Sequence, residues 1–549
     1  MQLTRGVLSY LLYSSLAVLA DATPPKRSIA PASSAASIYS TSSVHPSSTS
    51  ATQSFPTNPP SLIIDWLYDL VAPEWNEMNC SIPAATDSDM DPLERWEQLK
   101  VKDAWDAAVD HWNTEGNDGT TQFSQSLGSF FEYTETLFCE NLADNDGCSS
   151  LQVKCDEFNH PAGYMIVLSL IWLERQYLGM NSAITAASNT VSERLSDMLG
   201  TFAPLKKEGL TVDSIMLDLI SMGFSLTMSP MWNKVFKESK IISSKVKLAE
   251  KIDIKGKGKE GASKAKEQDL ANELGTVKDW VNPLVTQSIT ILKDASTAAG
   301  TQLANEEALD NTIGIMSDEW QSGLDSSVKA LFNGSSDSID LLYDTIKFGK
   351  FFSFNGVPSD YDLQTYVEIV LYAYLVPQAW SLTEEGPFIL DTGADCVDGE
   401  PDIPNDYNYR WLRTDDVKDP WYCYEDKAYY LVGAQAKDYA ECDNGSGICV
   451  NNGFYNLPGA DKLDGSSYGG ITVDNIINGT LNGYFGNGEK NGWSTADSSD
   501  EATLDDIFDS GITTAGVFTL PVCGATEAWT NWHYYSSGAR GQTDNYPCN

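Results

Sequence analysis

The sequence predicts an α+β protein, a mainly α-helical bundle followed by a disulfide-rich C-terminal domain of short strands and loops. The ten cysteines form two groups, four near the front and six at the back, with a long cysteine-free stretch between them. Apolar residues recur at helical spacing within that stretch. After Gly386 the composition changes to Gly, Asn, Asp, Tyr and Trp with short apolar runs, which is typical of strands between turns.

Residues 1–22 predict a secretory signal peptide, because an apolar run after Arg5 ends in the small-x-small pattern Ala20-Asp21-Ala22. The Lys26-Arg27 pair resembles dibasic sites cut by processing proteases of the fungal secretory route. Residues 23–60 are dominated by Ser, Thr, Ala and Pro and predict a disordered, O-glycosylated stalk. We therefore expect a secreted, extracellular fungal glycoprotein.

The chain is strongly acidic, with a formal net charge of −42 and a pI of about 4.2. An acidic surface repels nucleic acid and anionic lipid, so we expect no nucleic-acid partner. No later apolar run reaches the ~20 residues of a membrane-spanning helix, so we expect no transmembrane segment.

Residues 61–160 predict a helical region tied together by disulfides. Its four cysteines are Cys80, Cys139, Cys148 and Cys155. Four cysteines allow three pairings, and the sequence does not choose among them.

Residues 161–380 predict a bundle of six to eight helices. Apolar residues recur three or four apart from Ile184 to Met198, where we expect Gly200 to end the helix, and again from Leu309 to Leu331. Such stripes must pack against partner helices.

A basic segment, residues 234–266, interrupts this bundle with eleven Lys against four acidic residues. We interpret it as a flexible, solvated loop. The alternative is that residues 212–232 and this basic segment form a hairpin that inserts into anionic membranes, as in a membrane-perturbing, toxin-like protein.

Residues 386–549 predict the disulfide-rich domain of strands and loops. Its six cysteines are Cys396, Cys423, Cys442, Cys449, Cys523 and Cys548. Fifteen pairings are possible, and we favour the local bridges Cys442–Cys449 and Cys523–Cys548. We expect every bridge to stay within its own group, because the helical bundle separates the two.

Four Asn-x-Ser/Thr sequons predict N-glycosylation in surface loops. They lie at Asn79, Asn333, Asn444 and Asn478.

A resemblance concerns the C-terminal third. The stretch from Phe518 to Cys523, the residues Trp529, Asn531 and Trp532, and the terminal Tyr546-Pro547-Cys548 resemble the tails of uncharacterised secreted filamentous-fungal proteins that carry a C-terminal domain of unknown function. The resemblance implies secretion and no particular activity.

Two carboxylates suggest an alternative function, an aspartic-type hydrolase. Asp391-Thr392-Gly393 follows an apolar run, and Asp509-Ser510-Gly511 offers a second aspartate. Two carboxylates that share a proton would activate water. Only about forty residues follow Asp509, and both tripeptides are also ordinary turns in which Gly takes a positive φ, so we favour turns.

Other motifs carry less weight. Gly465-Ser466-Ser467-Tyr468-Gly469 matches the Gly-x-Ser-x-Gly pattern, with His533 downstream, but no strand precedes it. Residues 256–261 match Gly-x-Gly-x-x-Gly without a preceding strand. Residues 144–147 and 395–399 are oxygen-rich loops that lack the full EF-hand ligand series. We expect no cofactor and no metal, and no residue emerges as catalytic.

An aromatic cluster surrounds Cys423. Its members are Trp411, Trp421, Tyr422, Tyr424, Tyr429 and Tyr430. Exposed rings would stack on sugars, whereas buried rings would fill a small core, which we favour. The sequence assigns no particular biochemical activity. It favours an extracellular interaction or glycan-binding role, with a glycan or a host or cell-wall component as partner, ahead of an enzyme.

Overall fold

The computed structural model describes residues 74–142, 147–204, 217–239, 242, 245, 270–295, 306–352, 360–383, 386–397, 399, 420–434, 440–442, 449–451, 454–492, 501–536 and 545–549. These residues belong to one compact unit, residues 72–549. The predicted signal peptide, the stalk and most of the basic segment lie outside the described residues. The signal peptide and the stalk therefore stay predictions.

Thirteen α-helices have described bounds. They are α1 (Pro83–Thr86), α2 (Pro92–Gln98), α3 (Val101–His111), α4 (Phe123–Phe130), α5 (Pro161–Phe202), α6 (Leu217–Glu238), α7 (Val277–Ala295), α8 (Glu306–Leu331), α9 (Ser336–Ile346), α10 (Asp360–Ser381), α11 (Val473–Gly486), α12 (Glu501–Ser510) and α13 (Ala525–Ser536). Six strands accompany them, namely β1 (Pro387–Asp395), β2 (Trp421–Tyr424), β3 (Lys427–Gly433), β4 (Ala440–Cys442), β5 (Cys449–Asn451) and β6 (Val522–Gly524). The predicted helical bundle and disulfide-bearing C-terminal region are confirmed.

The front of the chain is held by side-chain and covalent ties. Asp91 caps α2 by accepting a hydrogen bond from the backbone N–H of Leu93, at 3.1 Å. The buried Arg95 donates from Nε and Nη2 to the carbonyls of Ala84 and Ala85, at 2.7 and 2.8 Å, and so joins α1 to α2. The disulfides are Cys80–Cys155 and Cys139–Cys148.

Helix α5 is the central helix of the bundle and packs against both α8 and α10. The expected stop at Gly200 is wrong, because the helix continues to Phe202. Glycine costs only about 1 kcal/mol relative to alanine inside a helix. Burial of Leu199 and Phe202 offsets that cost.

Residues 220–229 of helix α6 are all buried, so this part of the helix is enclosed on all sides. The first residues of the predicted basic loop, Lys234 among them, belong to the last turns of this helix rather than to a loop. Among the described residues, no helix combines the length and the apolar character that crossing a membrane requires. The described part of the hairpin is thus a core element of the bundle.

A four-stranded sheet has the order β2-β3-β1-β6. Strand β1 is antiparallel to β3 and parallel to β6. Alternate residues of the sheet face two cores, as the two-residue period of a strand requires. Ile389 and Leu431 join the main core, which extends from Met78 to Val522. Leu390 and its neighbours form a second, smaller core with Trp532 and Tyr546.

Two bridges pin the C-terminal region, Cys396–Cys423 and the favoured Cys523–Cys548. Cys442 and Cys449 are directly opposed residues of strands β4 and β5, and their side chains lie outside the described residues. Each of the four described bridges joins two cysteines of the same group, front or back. The favoured Cys442–Cys449 bridge remains a prediction.

Three helices within residues 386–549 were not predicted. The sequence of α11 is rich in Gly and Asn, which are poor helix formers. Thr472 and Asn475 form a capping box that starts α11. The sequon at Asn478 therefore lies in a helix and not in the expected loop. The main core contains residues from the three predicted regions 61–160, 161–380 and 386–549, and the predicted boundaries stay predictions.

Candidate functional site

Asp391 and Asp509 have different partners. Asp391 lies in a bulge of β1, where its carboxylate accepts a hydrogen bond from the backbone N–H of Gly393 at 2.7 Å. Asp509 lies near the end of α12 and forms a 3.0 Å ion pair with Lys278 of α7. Gly393 and Gly511 both have positive φ, as the turn interpretation predicts. No interaction joins the two carboxylates in the described structure, so this geometry does not favour an aspartic-type hydrolase.

The Gly-x-Ser-x-Gly match is a docking loop rather than a nucleophile elbow. A strand does not lead into it, and Ser467 precedes a short 3₁₀ turn. The Tyr468 ring packs edge-on against Phe202, and its hydroxyl donates to Thr201 Oγ1 at 3.2 Å. The side chain of His533 lies outside the described residues. The loop therefore attaches the C-terminal region to the end of α5.

The aromatic cluster near Cys423 fills cores on the two faces of the sheet. Tyr429 and Tyr430 are buried, on opposite faces. Tyr424 stacks on Phe485 at 5.5 Å, and its hydroxyl donates to Asn482 at 3.1 Å. Trp411 lies outside the described residues. The described rings form no flat exposed face for stacking on a sugar.

The oxygen-rich loops offer no described cation site. Residues 143–146 lie outside the described residues, and Asp395 of the second loop is held by Lys427 at 2.6 Å. Among the described residues, no group of three His, Cys, Asp or Glu side chains is arranged to hold a metal ion. The sequons at Asn79 and Asn333 are exposed, and Asn444 lies outside the described residues.

Two buried ionisable groups have strongly shifted pKa values. Burial raises the pKa of Glu174 on α5 to about 7, although the backbone N–H of Ser149 donates to its Oε2. Burial also lowers the pKa of Lys350 to about 7, helped by the nearby Lys347. Glu174 is 1% exposed, and so is Lys350. Both groups lie in the core, so they bear on stability.

A groove of about 700 Å³ lies between helices α5 and α8, and we call it the polar groove. The α5 side carries small polar side chains, namely Thr185, Ser188, Asn189 and Ser192. Their spacing of three or four residues places them on one face of the helix. The α8 side carries the polar residues Asp310, Asn311, Ser317, Asp318 and Gln321, together with Gly314, Ile313 and Ile315. Residues 310–321 of α8 span about 16 Å along its axis.

Internal hydrogen bonds close one end of the polar groove. Gln321 donates from Nε2 to Thr185 Oγ1 across the two helices, at 3.0 Å, and to Ser317 Oγ at 3.1 Å. Ser188 on the floor is only 7% exposed, and its hydroxyl has no hydrogen-bond partner. Space stays open at Gly314, where an added Cβ would meet no atom within 4 Å.

The lining favours a particular class of ligand. Hydroxyl and amide side chains both donate and accept hydrogen bonds, as the hydroxyl groups of a sugar do. The charged lining residues are two carboxylates, and no Lys or Arg lines the groove. An anionic ligand is therefore disfavoured, and the hydrogen-bonding side chains favour a ligand that has polar groups of its own. The groove suits a neutral or cationic polyhydroxylated molecule.

Sequence reasoning missed this groove. Its signal was present as small polar residues at helical spacing in both stripes, beside the apolar stripe of each helix. A polar stripe ordinarily faces solvent, and only the packing of α8 against α5 shows that these two stripes face each other.

Two fungal proteins are similar to the chain. It is 27% identical over 512 residues to a protein named probable chitinase LysM18 of Penicillium expansum. It is 24% identical over 524 residues to the secreted chitinase LysM12 of the same organism. Each alignment covers 86% of this chain, and the chain spans about a third of the length of these curated relatives.

No protein-family model matches the sequence, and no solved structure matches the chain. The predicted similarity to secreted fungal proteins is confirmed at this coarse level, and it extends well beyond the C-terminal third. No match supports the C-terminal domain of unknown function.

Proposed function

We propose that this protein is a secreted, fungal, glycan-binding protein whose polar groove holds a short segment of a chitin-type polysaccharide. The observation that carries the proposal is the groove itself, in which hydroxyl and amide side chains from two rigid helices converge on open space. The names of the similar proteins support the class of glycan, since both are called chitinases.

Binding rather than catalysis fits the geometry. Asp310 and Asp318 are on one helix, separated by Gly314, and both side chains are exposed. The two carboxylates of a glycoside hydrolase lie roughly 5 to 9.5 Å apart, on either side of the bond that they cleave. Asp310 and Asp318 are eight residues apart on one helix, about 12 Å along its axis. Hydrogen bonds to a sugar chain along its length require only donors and acceptors in fixed positions.

The test is binding of N-acetylglucosamine oligomers, followed by calorimetry, alongside cellulose-type oligomers. Gly314→Leu places a side chain in the open space of the groove. Leu has a higher helix propensity than Gly, so the substitution does not disfavour the helix. We expect this variant to lose at least about tenfold in affinity, because Leu occupies the site. Gly200→Leu is the matched control, since an added Cβ at Gly200, on α5 and outside the groove, also meets no atom within 4 Å.

If Gly314→Leu binds the oligomers as tightly as the wild type does, the glycan site does not lie in the polar groove. Failure of the wild-type protein to bind any chitin-type oligomer would overturn the function itself.

A further inference from the structure

The two carboxylates of the polar groove have no counter-ion. Asp310 and Asp318 lie eight residues apart on α8, about 12 Å along the helix axis. Neither side chain has an ion-pair or hydrogen-bond partner in the described structure. Both are exposed, so water is their present environment.

A neighbouring acid on the same helix shows the contrast. Asp325 lies one turn beyond Gln321, outside the groove, and Lys329 pairs with it at 2.6 Å. On helix α8, a lysine thus pairs with a carboxylate outside the groove, whereas Asp310 and Asp318 have no cationic partner among the described residues. The negative potential of an acidic chain adds to this local field.

We propose, resting on the proposed function, that the polar groove selects de-N-acetylated segments of a chitin-type glycan, through ion pairs of Asp310 and Asp318 with glucosamine ammonium groups. Removal of the N-acetyl group from such a sugar leaves a primary amine, which carries a positive charge in an acidic medium. Two carboxylates about 12 Å apart on one helix face contact a chain of several sugar units at two places. The hydroxyl and amide groups between them bind the uncharged parts of the same chain.

Charge also sets what the groove rejects. A uronate or sulfated glycan would place its anions beside both aspartates, and like charges raise the free energy of that complex. A fully N-acetylated chain has no charge to pair with them and binds through hydrogen bonds alone. The ion pairs therefore add to the affinity for glucosamine chains, while the hydrogen bonds bind both kinds of chain.

The experiment compares hexamers of glucosamine and of N-acetylglucosamine at about pH 5.5, below the pKa range of such amines. The wild-type protein should bind the glucosamine hexamer roughly three- to tenfold more tightly, as expected for two solvent-exposed ion pairs. That advantage should shrink as salt shortens the screening length to about 3 Å at 1 M.

The decisive variant is Asp310→Asn with Asp318→Asn, which keeps the shape and removes the charge. It should lose the preference and bind the N-acetylated hexamer as the wild type does. The matched control is Asp103→Asn with Asp110→Asn, which removes two exposed carboxylates from α3, outside the groove. That control should keep most of the preference.

The outcomes separate the two proposals. If both hexamers bind equally, with the binding still lost in Gly314→Leu, the glucosamine preference is wrong and the glycan site stands. If the control variant loses as much preference as the groove variant, the selectivity comes from net charge and not from these aspartates. If neither hexamer binds, the proposed function fails together with this inference.

Discussion

The ammonium group of Lys350 lies over the ring of Trp280, with its nitrogen 4.9 Å from the ring centroid. The same nitrogen donates a hydrogen bond to the backbone carbonyl of Asp344 at 2.5 Å. The side chain is otherwise enclosed, since Lys350 is 1% exposed. Burial disfavours the charged amine, and the pKa of Lys350 falls to about 7 for that reason.

Lys350→Met should stabilise the protein most in acid. The unfolded chain holds the lysine proton up to about pH 10.5, whereas the folded chain releases it near pH 7. Between these values the unfolded state binds more protons, so wild-type stability rises with pH. Below pH 7 the full cost of burying the charge is present. We expect a gain of about 2–4 kcal/mol there and none above about pH 10.5.

The measurement is the free energy of unfolding of both proteins across that pH range. Lys329→Met serves as the control, because its side chain is 56% exposed. A gain at Lys350 that does not change with pH would show that the ammonium charge is not the cause.

Glu174→Gln should stabilise the protein above neutrality and not in acid. The pKa of Glu174 is about 7 in the folded protein, whereas the ordinary pKa of a glutamate is about 4.5, so between these values the folded state binds more protons. Wild-type stability therefore falls as pH rises through this window. Glutamine resembles the protonated acid in shape, so the two proteins should match near pH 4. Near pH 8 the variant should be more stable by about 3 kcal/mol.

The control for this prediction is Glu193→Gln, the same substitution at an exposed position of the same helix. Chemical unfolding at several pH values checks both variants. Equal responses of the two variants would contradict a specific role of burial at Glu174.

Gly469→Ala should destabilise the loop that docks on α10 far more than Gly488→Ala. The two glycines have nearly the same backbone, with φ of 70° and 69°. At Gly469 an added Cβ would lie 2.6 Å from the backbone of Ile369, whereas at Gly488 it meets no atom within 4 Å. We expect Gly488→Ala to lower the free energy of unfolding by about 1–2 kcal/mol, which is the cost of the left-handed conformation alone. At Gly469 we expect the free energy of unfolding to fall by at least about 2 kcal/mol more than at Gly488.

Denaturant unfolding of both variants measures this difference. Equal losses would mean that the loop moves away from Ile369 without cost, which would remove the tight contact between the C-terminal region and the bundle.

The two front disulfides should contribute unequally to stability. Cys80–Cys155 closes a loop with a sequence separation of 75, and Cys139–Cys148 closes one of 9. In the chain-entropy treatment these loops correspond to about 4.5 and 2.6 kcal/mol. Replacing both cysteines of a pair with Ser should therefore cost about 2 kcal/mol more for the longer loop. Thermal unfolding under non-reducing conditions checks this order, and a larger loss for the short loop would contradict it.

Local sequence patterns predicted the helical bundle well. The apolar stripe from Leu309 to Leu331 corresponds to helix α8, because a repeat of three or four residues is a property of the chain itself. The two cysteine groups likewise indicated where covalent ties lie, and the described bridges stay within them. The helix at Asn478 escaped prediction because burial against Ile512 and Phe518 overrides its weak local propensity.

The sequence by itself determined the secondary-structure class of the bundle, the acidic charge and the grouping of the cysteines, since each depends on composition or on short-range periodicity. Only the tertiary structure decided that Cys80 pairs with Cys155, that Asp391 and Asp509 have separate partners, and that the polar stripes of α5 and α8 face each other. The physical reason is that these relationships join residues far apart in the chain. They exist only after the burial of apolar faces has fixed which helices and strands are neighbours.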